Sequence, residues 1–244
     1  MAVRSETDRP VGSARERLAR LRRPLGLVLI IIGVLALAWT VVVWRWQDPF
    51  TALYTKWEQH KLAQQYDKAL PHWQRRLPPS TRSATALRGL ISREASIYRR
   101  DTHAGEAIGR IVVGRLGLNM VLVDGTDESS LKKGPGRDPR TYMPGQNRLV
   151  YIAGHRTTYL APFSHINDIR NGDYIKIEVP YATFTYRAFR HEIVPATDLA
   201  MLHSPSHELL RLQACHPRFF ATHRYIVDAR LVSVLLPNGR SYAG

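Results

Sequence analysis

The stretch LRLQACHPRFFATHRYIV, from Leu210 to Val227, consists of two alternating runs joined by a short loop, and it predicts two adjacent β-strands. Apolar residues occupy every second position of the first run, so they share one face of the strand, and Cys215 lies on the opposite face. Pro217 ends this strand because proline cannot continue a β-ladder. Arg224 begins the second run, so the end of one strand and the start of the next would place Arg224 beside Cys215.

Short β-rich runs separated by turn residues continue along the chain from Gly105 onward. The predicted strands are Ile108–Val113, Leu118–Val123, Arg148–Gly154, Asp173–Val179, Thr183–His191, Glu208–Cys215 and Arg224–Val234. Short helical pieces are predicted at Asp127–Lys133 and near Thr197–Leu202. Seven or more short strands at modest spacing predict an all-β fold, either a sandwich or a barrel.

The composition restricts the chemistry that the chain can support. It has 244 residues, 35 Lys and Arg against 20 Asp and Glu, a net charge of +15 and a single Cys. One Cys excludes an internal disulfide and any multi-cysteine zinc or iron–sulfur site. The basic excess suits an anionic surface such as phospholipid head groups or a cell-wall polymer. Nucleic acid is not expected as a partner, because the sequence contains no helix-turn-helix, zinc-finger or ribonucleoprotein motif.

One acidic cluster deserves separate consideration as a metal site. Asp124, Asp127 and Glu128 lie close together in the sequence and carry the oxygen ligands that Ca²⁺ prefers. Acids in this pattern more often cap a helix, so we expect no metal site and no cofactor.

A charge-free apolar run extends from Leu25 to Trp44. A helix of about 20 residues spans about 30 Å, the thickness of the hydrocarbon core of a bilayer. The preceding residues 1–24 are rich in Arg, which predicts a cytoplasmic basic tail, a single-pass anchor at 25–44 and an extracellular remainder at the cell membrane. A cleaved signal peptide is the alternative, since Ala36 and Ala38 resemble a cleavage site. The apolar run continues past them, which favours an uncleaved anchor.

Residues 45–104 are predicted to form a helical stalk or linker. Asp48-Pro49 is a helix start, and apolar residues at helical spacing then predict an amphipathic helix that Pro71 ends. A second, weaker helix is predicted over 83–100, interrupted at Gly89. We expect a spacer with a solvated basic face in preference to a segment that packs on the following domain.

Three side chains are candidates for a catalytic site. Cys215 ends a strand, where a thiol could act as a nucleophile, and Arg224 would supply a fixed positive charge with several hydrogen-bond donors. His155 follows an apolar strand and a glycine, and an imidazole there can act as general base and acid for the thiol. An inert buried thiol and a surface arginine are the alternatives, and His216 and His223 are rivals for the role of base.

Together these signals match a known family. The segments AGHRTTYLAPF (Ala153 to Phe163) and Leu210 to Val227 resemble sortases, the cysteine transpeptidases of Gram-positive surfaces. The segments Gly105 to Thr126 and Leu131 to Gln146 are similar to the actinobacterial class E type. The resemblance implies a closed β-barrel of about eight strands with short helices, forming a catalytic domain at 105–244 that follows the transmembrane helix and the stalk.

The resemblance also implies an activity. The thiol would cleave a Thr–Gly bond in a sorting signal of the LPxTG or LAxTG kind through a thioester, and the protein would pass to a cell-wall amino group. The partners are then surface proteins with C-terminal sorting signals, a peptidoglycan precursor or cross-bridge amine, and the lipid bilayer. The implied catalytic residues are His155, Cys215 and Arg224, and we expect the substrate to contact Tyr159, Ala214 and His216.

The chain departs from the family pattern before the nucleophile. The family commonly has Thr-Leu-x-Thr-Cys, whereas the same positions here read Arg211-Leu212-Gln213-Ala214-Cys215. Two hydroxyls that would line the cleft are missing and a charge enters it, so the sorting motif remains open between the two kinds.

Other functions are compatible with part of this pattern. One is another wall-directed cysteine enzyme such as an L,D-transpeptidase, although its usual Ser-x-Gly-Cys stretch is absent. A second is a non-catalytic, membrane-anchored β-domain that binds wall polymers. A pilin-polymerising sortase is a third, and attachment of single proteins is favoured because only Pro237 to Gly244 follow the last predicted strand.

Overall fold

The computed structural model describes residues 14–46, 49–74 and 83–244, so the first part of the predicted basic tail and the expected N-cap Asp48 lie outside the described residues. The chain divides into two compact units, Met1–Trp46 and Gln47–Gly244. The helices that we assigned to a stalk therefore fall in the same unit as the β-strands.

The first unit contains helix α1 (Ala14–Trp46). Its segment Pro24–Val42 has a mean hydropathy of 2.8 and is the one span in the described ranges that is long and apolar enough to cross a membrane. None of that span is buried against protein. Membrane anchors and signal sequences share this length and composition.

The second unit begins with two helices, α2 (Pro49–Gln74) and α3 (Ala84–Asp101). Contrary to our expectation, α2 continues past Pro71 to Gln74, since the fixed φ angle of proline is itself helical. Helix α3 also passes through Gly89 without a break. Ser83 caps α3, since its hydroxyl accepts a hydrogen bond from the Ala86 N–H at 3.1 Å.

Both helices pack on the strands, so the expectation of a solvated spacer is wrong. Helix α3 contributes a stripe at helical spacing to the main apolar core, formed by Leu87, Ile91, Ala95 and Tyr98. Helix α2 buries Leu62 against the strand residues Val121 and Val123. Gln59 of α2 adds hydrogen bonds to both the N–H and the C=O of Val121, at 2.7 and 3.0 Å.

Nine strands follow in the order of the chain. They are β1 (Ala107–Val113), β2 (Leu118–Asp124), β3 (Gly136–Arg137), β4 (Leu149–Ala153), β5 (Tyr174–Val179), β6 (Ala182–Pro195), β7 (Leu209–His216), β8 (His223–Leu235) and β9 (Ser241–Ala243). The order of neighbours is β6-β5-β1-β2-β3-β4-β7-β8, and β8 pairs with β6 to close the ring. The predicted all-β closed barrel of eight strands is therefore confirmed, with β9 added beside β8.

Short helices join some of the strands. Helix α4 (Glu128–Leu131) lies between β2 and β3 and is capped by Asp127, as the sequence predicted. A 3₁₀ helix (Leu199–Leu202), which we call the wall helix, lies between β6 and β7.

The register of three strands sets up the site. Strand β4 runs parallel to β7, and β7 runs antiparallel to β8. The alternating residues Leu210, Leu212 and Ala214 of β7 point into the apolar core and have no exposed surface. The other face of β7, which ends at the half-buried Cys215, is turned away from that core.

Candidate active site

Cys215 and Arg224 are direct cross-strand partners at the end of β7 and the start of β8. Side chains of such a pair leave the sheet on the same face, with Cβ atoms about 5 Å apart. The Nη1 group of Arg224 also donates hydrogen bonds to the carbonyls of Ala221 and His223, at 2.8 and 3.0 Å. The guanidinium is therefore bonded to the loop that joins the two strands, and it belongs to the residue directly opposite Cys215.

His155 reaches the same place from the neighbouring strand. The N–H of Gly154 donates to the carbonyl of Gln213 at 3.0 Å, which extends the β4–β7 ladder up to the residue before His155. The carbonyl of His155 accepts a hydrogen bond from the N–H of Phe163 at 3.1 Å. The ring of Phe163 lies so close to Gly154 that an added Cβ would be 2.6 Å from it. Glycine is required there by close packing.

The environment of His155 favours the neutral imidazole. The ring is half-buried, and its Nε2 atom is buried without a hydrogen-bond partner among the described residues. Burial lowers the pKa of His155, the nearby carboxylate of Glu128 raises it, and the ammonium of Lys132 lowers it further, with a net shift downward. A neutral imidazole at neutral pH can accept a proton, as a general base requires.

All three candidates line one cleft of about 270 Å³. Its floor includes Gln213 of β7, and the wall helix forms part of one side. The thiol is thus on an accessible surface, which argues against an inert thiol sealed in the core. Neither His216 nor His223, the rival bases, lines the cleft.

The three expected substrate contacts lie elsewhere. Tyr159 packs on His155, with ring centroids 5.0 Å apart, behind the imidazole. Ala214 is completely buried in the barrel core, because it sits on the inward face of β7. The Nδ1 atom of His216 lies 2.9 Å from Nη1 of Arg156. None of these three side chains lines the cleft, although the ring of Tyr159 contacts that of His155.

The sequence reasoning missed Arg156, which is buried directly after His155. Its Nη1 group donates to the carbonyl of Cys215 at 3.0 Å, and its Nη2 group donates to Oδ1 of Asn167 at 2.7 Å. The guanidinium also stacks over the ring of Tyr225, 5.7 Å from its centroid. Arg156 therefore anchors the backbone at Cys215, and an arginine directly after His155 in the stretch Ala153 to Phe163 was the available sequence signal.

The structure corrects the expected fate of Arg211. The side chain is buried, and its Nε and Nη2 groups donate to both carboxylate oxygens of Asp228, at 2.7 and 2.9 Å. Arg211 does not line the cleft. The charge that departs from the family pattern is therefore neutralised beside the cleft and does not enter it.

The acidic cluster near β2 is engaged in structural contacts. Asp124 pairs with the buried Arg137, and Asp127 accepts the N–H of Ser130 at 3.0 Å. Hydrogen bonds from the hydroxyls of Ser129 and Ser130 are the main reason that the pKa of Asp127 falls to about 2. Within the described ranges, no group of three or more His, Cys, Asp or Glu side chains is arranged to hold a metal ion.

Comparison with known proteins identifies the family. A family model described as the Sortase domain matches residues 111–232. Sortase D from Bacillus subtilis (strain 168) is 29% identical over 134 residues, which cover 53% of this chain and 66% of that protein, slightly under two thirds of its length.

Two solved structures extend the comparison. A Sortase D5 transpeptidase from Clostridium perfringens superposes with a TM-score of 0.57 at 21% identity, over 72% of this chain and 98% of that chain, which supports the barrel fold. Sortase E from Streptomyces avermitilis has a TM-score of 0.50 at 28% identity, over 55% of this chain and 93% of that chain. Proteins named sortase D and sortase E both match, so class E is supported only loosely.

Proposed function

Because the chain belongs to the sortase family, we propose that it is a membrane-anchored cysteine transpeptidase with His155, Cys215 and Arg224 as its catalytic residues. The observation that carries the proposal is the meeting of these three side chains on one cleft. They come from β7, β8 and the end of β4, which are adjacent in the barrel.

The reaction proceeds in two balanced halves. In the first, neutral His155 takes the proton of the Cys215 thiol as the sulfur attacks the carbonyl carbon of the Thr–Gly bond, a carbon–sulfur bond forms, the carbon–nitrogen bond breaks, and His155 passes that proton to the departing glycine amine. In the second, an incoming amine attacks the thioester carbon and loses a proton to neutral His155. The new carbon–nitrogen bond replaces the carbon–sulfur bond, His155 returns its proton to the departing sulfur, and the thiol of Cys215 and the neutral imidazole are restored.

Arg224 stabilises the negative charge that develops in both halves. The tetrahedral intermediate carries an oxyanion, and Arg224, the cross-strand partner of Cys215, donates to it with a guanidinium N–H. Removal of one such donor typically costs about 3 kcal/mol of transition-state stabilisation. The hydrogen bonds from Arg224 to the carbonyls of Ala221 and His223 hold the guanidinium in place before the substrate arrives.

The span Pro24–Val42 anchors the enzyme in the cell membrane, the basic tail before it stays in the cytoplasm, and the barrel lies outside. The donors are surface proteins with C-terminal sorting signals of the LPxTG or LAxTG kind. The acceptor is an amino group of a peptidoglycan precursor or cross-bridge.

A transfer assay tests this function. The chain in detergent is offered peptides that carry either sorting motif, together with a small amine acceptor, and both cleavage and the transfer product are quantified. We expect transfer by the wild type and none by Cys215→Ala, with unchanged thermal unfolding of the variant. Cleavage by Cys215→Ala would overturn the assignment, and reaction with peptidoglycan stem peptides in place of sorting peptides would indicate an L,D-transpeptidase.

A further inference from the structure

We propose that Arg211 is a specificity-determining positioning residue, which holds the wall helix (Leu199–Leu202) at one side of the cleft. The proposal deepens the proposed function, because that wall would border the bound sorting signal. It concerns one of the two residues at which this chain departs from the family pattern, and it assigns a structural role to the unexpected charge.

The position of Arg211 follows from the strand register. On β7, Arg211 shares a face with Gln213 and Cys215, so its side chain leaves the barrel on the side of the site. Asp228 of β8 is its direct cross-strand partner, and the two groups form a bidentate pair at 2.7 and 2.9 Å. Arg211 is 6% exposed and Asp228 is 2% exposed, so the pair is shielded from water.

The remaining Nη1 group of Arg211 donates to the carbonyl of Met201 at 2.7 Å. Met201 belongs to the wall helix, and Leu199, Met201 and Leu202 of that helix all line the cleft. One guanidinium therefore connects the barrel, through β7 and β8, to the backbone of the cleft wall. Hydrogen bonds to charged groups contribute more than neutral ones, because the donor carries a full charge.

The wall helix has few other attachments. None of its four residues is buried, and Leu199 is 70% exposed. Met201 and Leu202 pack partly against an apolar cluster that includes Tyr151 and Leu209. A segment with so little buried surface depends on the hydrogen bond from Arg211 for a single position.

Arginine suits this task better than other side chains. Its planar fork binds both oxygens of a carboxylate and still offers a donor on the other side, whereas lysine presents a compact charge without that geometry. A threonine, which the family commonly has here, is too short to reach a carbonyl in the wall helix while bonding Asp228. In this chain a hydrogen bond therefore connects the wall helix directly to β7, the strand that carries Cys215 near its end.

The test uses substitutions that keep the buried charges balanced. Arg211→Lys retains a cation opposite Asp228, and the double variant Arg211→Met with Asp228→Leu removes the pair without leaving an unpaired buried carboxylate. Arg190→Met is the matched control, because Arg190 also contacts Asp228, at 3.3 Å, but its side chain is half exposed and makes no bond to the wall helix.

The first readout is amide hydrogen exchange of the full chain, which needs no substrate. We expect exchange of the His203 amide, which bonds the Ala200 carbonyl, to accelerate about tenfold in both Arg211 variants and to stay within twofold in Arg190→Met. Unchanged exchange at the wall helix in correctly folded Arg211 variants would overturn the proposal.

The second readout is selectivity between LPxTG and LAxTG peptides. We expect the KM for the preferred peptide to rise about tenfold in the Arg211 variants and the preference between the two peptides to narrow, while the rate at which a small methanethiosulfonate forms a mixed disulfide with Cys215 stays within twofold. A parallel loss of this thiol reactivity would show a general collapse of the site and contradict a positioning role. If the wild type accepts neither peptide, the proposed function fails, and the exchange experiment still decides whether Arg211 holds the wall.

Discussion

Tyr159 covers the imidazole of His155 with its ring, at a centroid separation of 5.0 Å and an angle of 38°. Tyr159 is itself held by α2: its N–H donates to Oγ1 of Thr51 at 3.2 Å, and its ring meets that of Tyr54 edge to face. Tyr159, Leu160 and Ala161 all have positive φ angles, of 53°, 60° and 38°, which non-glycine residues seldom adopt. The loop that follows His155 is therefore supported by α2, the first helix of the second unit.

Replacing Tyr159 by Ala should change the pH dependence of acylation. Burial is the main cause of the lowered pKa of His155, so exposing the ring should raise that pKa toward 6.5. The neutral imidazole is then protonated at a higher pH, so the acid limb of the pH profile of kcat/KM should move to higher pH. The limb is measured from pH 5 to 8, with the exposed Tyr174→Ala as control. An acid limb that stays in place would contradict the shielding role of Tyr159.

Replacing Arg224 by Lys should slow acylation by about a hundredfold, because the charge remains but the fork of donors to the oxyanion is lost. Arg230→Lys, at an exposed position of the same strand, should leave the rate within twofold. Single-turnover rates with a sorting peptide give the comparison. Equal rates for Arg224→Lys and the wild type would show that Arg224 has only a structural role.

Replacing Gly154 by Ala should disturb both stability and catalysis. The new methyl group would lie 2.6 Å from the ring of Phe163, which must move and carry the backbone of His155 with it. We expect a loss of about 1–3 kcal/mol in the free energy of unfolding and about tenfold slower acylation. At Gly89, by contrast, an added Cβ would have no atom within 4 Å beyond the backbone of its own helix. Gly89→Ala should therefore stabilise α3 by about 0.5–1 kcal/mol. Similar effects of the two substitutions would disprove the close-packing explanation.

Replacing Ile91 by Ala should destabilise the barrel, although Ile91 lies in a segment that the sequence assigned to a stalk. Ile91 has no exposed surface and packs in the main core, so the expected loss is about 2–5 kcal/mol in urea unfolding. The exposed Arg93→Ala should change stability by less than about 0.5 kcal/mol. For the same reason, a fragment that starts at 105 should unfold at lower urea than one that starts at 47.

The sequence predicted most of the barrel because most strands carry their own pattern. The predicted bounds of β7 and β8 differ from the observed ones by one residue at each end, since alternation and Pro217 mark them clearly. Strand β3, Gly136–Arg137, was missed because two residues carry no periodicity, and β9 is almost as short. The buried residues of α3 recur at helical spacing, so the sequence predicts the helix. Their contact with the barrel depends on tertiary packing, which the spacing does not reveal.

For the site, too, the sequence predicted one part and missed another. The sequence alone predicted that His155, Cys215 and Arg224 meet, because each of them lies at the end of a strand and these strands are adjacent. The face of Arg211 also follows from alternation, but its partners do not. Asp228 faces it only through the β7–β8 register, and the carbonyl of Met201 belongs to the wall helix, whose position against β7 depends on tertiary packing.

The most direct test of the central claim is the intact mass of the protein after brief reaction with a sorting peptide. The chain contains a single Cys, so a thioester has one possible site. We expect the wild type to gain the mass of the peptide up to its Thr residue, the gain to map to Cys215, and added amine to remove it. A peptide that is cleaved without any mass gain on Cys215, or a Cys215→Ala variant that gains the same mass, would contradict the account.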